Sequence, residues 1–110
     1  MSLLSRLFGS ADTQAFARTL AADVAKRYPP HLDNQPGKRP SVNRLTRIME
    51  DACKKAADFQ GERNLGWLGK ARLSNAFSWE LRELGYQKDF VDFATEAVVI
   101  YLSRKASKQG

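Results

Sequence analysis

Residues 40–60 read PSVNRLTRIMEDACKKAADFQ, and this stretch decides the fold. Pro40 disfavours helix in the residue before it, and Ser41 is a good N-cap, so a helix is expected from 41. Val42, Leu45, Met49, Ala52, Ala56 and Phe59 then recur at spacings of 3, 4, 3, 4 and 3. That pattern is one apolar seam along a helix, widened by Ile48. Glu50 with Lys54, and Asp51 with Lys55, are opposite charges one turn apart. Gly61 is the expected stop, giving bounds of about 41–60. A helix with such a seam needs other apolar faces to cover it.

The flanking sequence supplies them as further helices. Phe16, Leu20, Val24 and Tyr28 recur every four residues in an alanine-rich stretch, which predicts a helix over about 11–28. Ser10 and Asp12 are its candidate caps, and Pro29-Pro30 ends it. After the seam, Leu73, Phe77, Leu81 and Leu84 mark a helix over about 65–84, whose first turns Gly66 and Gly69 weaken. Gly85 ends it, and Tyr86 is placed for the apolar contact of a Schellman cap. A last helix is expected over about 88–104. Its apolar residues, Phe90 to Leu102, cover most of the circumference, so it is either central to the core or at an oligomer interface. Val98 to Tyr101 alone would suit a strand, but no alternation or hairpin partner accompanies it.

Between the first two helices all four prolines fall within residues 29–40. The 28 residues before that stretch are too few for a separate core, so it is expected as a long surface loop inside one domain. Leu3, Leu4, Leu7 and Phe8 suggest a short amphipathic arm over 1–9, docked on the domain or frayed. Membrane contact through residues 3–8 is disfavoured, because so short a helix buries little apolar area and carries one basic residue. Residues 105–110 read as a polar tail. The expected architecture is therefore all-α: a single domain over 1–110 with four principal helices.

Composition excludes several kinds of function. The chain has 110 residues, one Cys and one His, and no apolar run long enough to span a membrane. The N-terminal apolar run is too short for a secretory leader, and Arg6 interrupts it. Cys53 alone forms no internal disulfide, which fits a reducing, cytoplasmic setting. One Cys and one His are too few for a structural zinc site, so neither metal nor cofactor is expected. Cys53 and His31 form no recognisable nucleophile–base pair and lack an orienting third group. The carboxylates Glu80 and Glu83, and Asp89, Asp92 and Glu96, are spaced as solvated helix faces or as first-turn dipole partners rather than as a catalytic pair. Gly66-x-x-Gly69 lacks the flanking strands of a KH nucleic-acid loop, and no phosphate-loop motif is present.

The basic residues are more informative. Lys38, Arg39, Arg44 and Arg47 form one acid-free run, Arg63, Lys70 and Arg72 a second around Trp67, and Arg104, Lys105 and Lys108 a third. These runs hold ten positive charges in a chain of net +6, so the rest of the molecule carries −4. The first run surrounds a helix start, where positive side chains oppose the macrodipole. Lys38, Arg39, Ser41, Asn43, Arg44 and Arg47 thus form either an anion site or a solvated basic face. Trp79 lies off the stripe of its helix. With Arg63, Trp67, Lys70 and Arg72 it is a candidate partner-binding set.

Two functions follow as expectations. The first is a non-enzymatic protein-interaction or regulatory module that binds a partner or itself. The alternative is a nucleic-acid-binding module that contacts phosphates through the basic start of the second helix. Lacking nucleophile, metal and phosphate signatures, the chain is not expected to be an enzyme.

Overall fold

The computed structural model describes residues 11–63 and 66–109. The arm expected at 1–9 lies outside the described residues. Five helices occur among the described residues: α1 (Ala11–Arg27), α2 (Pro30–Asp33), α3 (Val42–Arg63), α4 (Gly66–Leu84) and α5 (Lys88–Gln109). No strand occurs among the described residues. The chain is an all-α bundle of four principal helices with one short connecting turn.

α1 carries Asp12 in its first turn and Lys26 and Arg27 in its last, the signs that its dipole favours. Its buried side is Thr13, Ala17, Leu20, Ala21 and Val24, rotated from the expected ladder. Ala17 and Ala21 are fully buried, whereas Phe16 packs only at the edge of the core. Small side chains at the centre of this face let α4 pack closely, and α4 is its main neighbour. Phe16 instead stacks on Phe59 of α3, ring centroids 4.2 Å apart and nearly parallel. Further along, Lys55 reaches Asp23 at 2.8 Å and Arg27 reaches Asp51 at 2.5 Å. α1 and α3 therefore run antiparallel. These exposed pairs mark the register more than they stabilise it.

The Pro-rich stretch is not wholly loop. Pro30 occupies the first position of α2, where a missing N–H costs nothing and its fixed φ suits a helix. One helical turn follows, and it places Asp33 in the interior.

α3 begins as the sequence predicts. The Ser41 hydroxyl accepts the Arg44 N–H at 3.2 Å, and the Ser41 carbonyl accepts the Leu45 N–H. Leu45, Ile48, Met49, Ala52, Cys53 and Ala56 are buried, but Val42 at the head of the expected seam is exposed. Gly61 does not stop the helix, which continues to Arg63. At Gly61 the helical conformation is retained with open space around it, so nothing local forces an end.

α4 ends as expected. Gly85 has φ +103°, its N–H reaches the Arg82 carbonyl at 3.0 Å, and the Tyr86 N–H reaches the Leu81 carbonyl at 3.3 Å. This is a Schellman motif, closed by the buried pair Leu81 and Tyr86. α5 extends beyond the expected Arg104 to Gln109, so residues 105–109 of the expected polar tail are helical. That stretch contains no Gly or Pro, and its basic residues suit a helix C-terminus.

The buried apolar side chains form one cluster. Phe77, Leu73 and Leu81 of α4 and Phe90, Val91 and Val98 of α5 lie at its centre. Tyr28, Tyr86 and Phe90 close one end, with ring centroids 4.7–5.8 Å apart.

Candidate interaction surfaces

Asp33 is the main polar group of the interior. Its side chain is 0% exposed. One carboxylate oxygen accepts the Tyr28 hydroxyl at 2.6 Å and the Arg39 guanidinium at 2.5 Å. The other accepts the Gln87 N–H at 2.7 Å. Arg39 continues outward to grip both oxygens of Asp89 at 3.0 and 3.1 Å. Asn34 donates to the Gly85 carbonyl at 2.9 Å, and the Tyr86 hydroxyl donates to the Tyr28 carbonyl. This network fastens the connector 28–39 to the junction of α4 and α5. Burial raises the Tyr86 and Tyr28 pKa values, the latter also through its bond to Asp33. The hydrogen bonds from Arg39 lower that of Asp89.

This geometry changes the reading of the first basic run. Arg39 bridges buried Asp33 and exposed Asp89, so its charge is balanced within the chain. The Ser41 hydroxyl and the Arg44 N–H, two groups expected to receive an anion, bond to each other. Lys38, Asn43, Arg44 and Arg47 are exposed. The three basic residues among them have no ion-pair partner among the described residues.

The second set does not form one patch. Trp67 is 79% exposed and Trp79 54% exposed, both on α4. Twelve residues of helix separate them, which sets them about 120° apart around the axis and ~18 Å apart along it. Arg72 lies on the Trp79 side, one heptad earlier. Lys70 is half-buried. Arg63 ends α3, and its side chain lies outside the described residues. In the third set, Arg104 is exposed.

A surface that the sequence did not single out lies between α3 and α5. A mainly apolar cleft of about 230 Å³ runs between Thr46, Met49 and Cys53 on α3 and Phe93, Ile100 and Arg104 on α5. A second cleft of about 230 Å³ continues it past Phe93 toward Val42 and Leu45. Residues early in α3 face residues early in α5, so the two helices run in the same direction. Phe93 is 41% exposed and Ile100 43% exposed, with Ala97 half-buried between them. Their spacing of four and three puts all three on one stripe. The sequence signalled this only as apolar residues all around α5, because periodicity could not say which side the core would leave bare.

The other candidate residues are not brought together. Cys53 is buried, and its thiol pKa is pushed up to about 11 by burial and by Glu50, so it is a poor nucleophile at neutral pH. His31 is exposed on α2. Glu80, expected on a solvated face, is buried and accepts the Gln14 amide at 2.9 Å. No cluster of three metal-ligating side chains occurs among the described residues, and none of their helices is long and apolar enough to cross a membrane.

Comparison with known proteins gives no relative: no family model, no curated protein and no solved structure matches this chain.

Proposed function

We propose that this chain is a non-enzymatic helical interaction module, acting in the cytoplasm and binding a protein through the outward stripe of α5 and the adjoining cleft. The observation that carries this reading is the bare stripe of Phe93, Ala97 and Ile100 beside an apolar cleft. Exposed apolar side chains at helical spacing along a groove are what helix-in-groove recognition uses. The free, buried Cys53 fits a reducing compartment.

A photo-crosslinking phenylalanine analogue at position 100, introduced in living cells, tests this reading. Protein adducts at position 100, absent when the same residue replaces exposed Lys54, are the expected result. No adducts at position 100 above that control would overturn it.

The alternative is nucleic-acid contact through Lys38, Arg44 and Arg47, supported by their lack of ion-pair partners among the described residues. Binding to generic duplex DNA or RNA that falls steeply with salt, and is lost in Arg44→Glu/Arg47→Glu, would favour it. No binding at low salt would remove it.

A further inference from the structure

We infer that the occupant of the α5 stripe is a second copy of this chain, with the two α5 helices packed antiparallel about a two-fold axis near Ile100. This rests on the interaction-module reading above. Charge complementarity selects this occupant. Of the charged residues flanking the stripe on α5, Asp89 is held by Arg39 and Asp92 by Lys88, and Glu50 of α3 lies on the far rim of the cleft. Glu96 and Arg104 remain exposed, with no ion-pair partner among the described residues.

Glu96 and Arg104 lie four residues to either side of Ile100. At ~1.5 Å per residue, each is about 6 Å along the axis from it. An antiparallel pairing centred on Ile100 therefore sets Glu96 of each copy level with Arg104 of the other. It also brings the two Ile100 side chains together and sets Ala97 of each copy level with Ser103 of the other. A parallel pairing would oppose Glu96 to Glu96 and Arg104 to Arg104. An isologous two-fold contact requires a patch that complements itself, and this arrangement of one acid, one apolar centre and one base does so. A different protein would require no such symmetry about one residue.

Sedimentation velocity over a wide concentration range tests the inference on the full chain. The native chain is expected to show a reversible monomer–dimer equilibrium. Glu96→Arg and Arg104→Glu are each expected to weaken the dimer about tenfold or more, since each opposes like charges twice. Glu96→Arg/Arg104→Glu is expected to restore it to within about threefold of the native value, because the swap exchanges the sites and keeps the complementarity. Both positions are exposed, so far-UV circular dichroism should be unchanged. A native chain that stays monomeric at every concentration overturns the inference, as does a double variant no better than the singles. The outcomes separate it from the broader reading. Crosslinks from position 100 to a different protein, with a monomeric native chain, defeat the dimer and leave the interaction module standing. Absence of both defeats the two together.

Discussion

Arg39 holds Asp33 at 2.5 Å across six residues of the connector, with the carboxylate fully buried and the guanidinium 39% exposed. The pair is therefore unequal. Removing Arg39 leaves a charge in the interior with only neutral donors, from Tyr28 and Gln87. Loss of one partner of a buried pair costs several kcal/mol, and the remaining donors moderate that cost. Arg39→Met is expected to lower unfolding free energy by ~2–4 kcal/mol in urea titrations. Adding Asp33→Asn should then recover part of the loss. Strictly additive penalties would show that the two side chains are not coupled.

Acid should loosen the same network. Arg39 holds the Asp89 carboxyl below its ordinary value of 3.8. A group whose pKa is lower in the folded state contributes stability above its unfolded value and loses it as pH falls. The native chain should lose stability below about pH 4 more steeply than Asp89→Asn. Thermal midpoints measured between pH 6 and pH 2 give the comparison, and identical slopes would count against the Arg39–Asp89 bond.

Alkali acts with the opposite sign. Tyr28, Tyr86 and Cys53 all release their protons less readily when folded. Their contribution is complete below the unfolded values, 9.0 for the thiol and 10.0 for the phenols, and declines as pH rises above them. Stability should begin to fall near pH 9, first through Cys53, and Cys53→Ala should delay the onset. In the native chain at pH 8, a disulfide reagent should modify Cys53 far more slowly than it does after unfolding in urea.

Two glycines should respond in opposite directions to alanine. Gly61 lies within α3 with no atom near its missing Cβ, so Gly61→Ala should stabilise by ~0.5–1 kcal/mol. Gly85 holds φ +103° in the cap of α4, a conformation that alanine resists. Gly85→Ala should destabilise by ~1 kcal/mol or more, although the nearest atom, Pro30 Cβ, is at an ordinary 4.0 Å. Denaturation midpoints of the two variants on either side of the native value confirm both assignments.

Local signals carried the helical architecture. Ser41 capped α3, Gly85 and Tyr86 closed α4, and the proline pair ended α1, each through contacts within a few residues of sequence. Side chains whose role depends on distant neighbours were misread. Arg39 belonged to a basic run until Asp33 and Asp89 met it, and Glu80 seemed solvent-facing until Gln14 covered it. Gly61 misled for a different reason: glycine permits a helix to end but does not oblige it to. The bare stripe on α5 was hidden by an excess of apolar residues, since hydrophobicity on every side points in no direction.

The attachment of Asp33 also has an expected consequence for how long the folded state lasts. Its donors come from residues 28, 39 and 87, the farthest 54 positions away. A carboxylate that left water before these groups arrived would face a desolvation penalty with little return. The connector is therefore expected to lock after the helices have closed around the core. Contacts made that late govern the escape rate rather than the rate of approach. Asp33→Asn is therefore expected to speed unfolding and leave refolding almost untouched in stopped-flow measurements, the behaviour of a kinetic clasp.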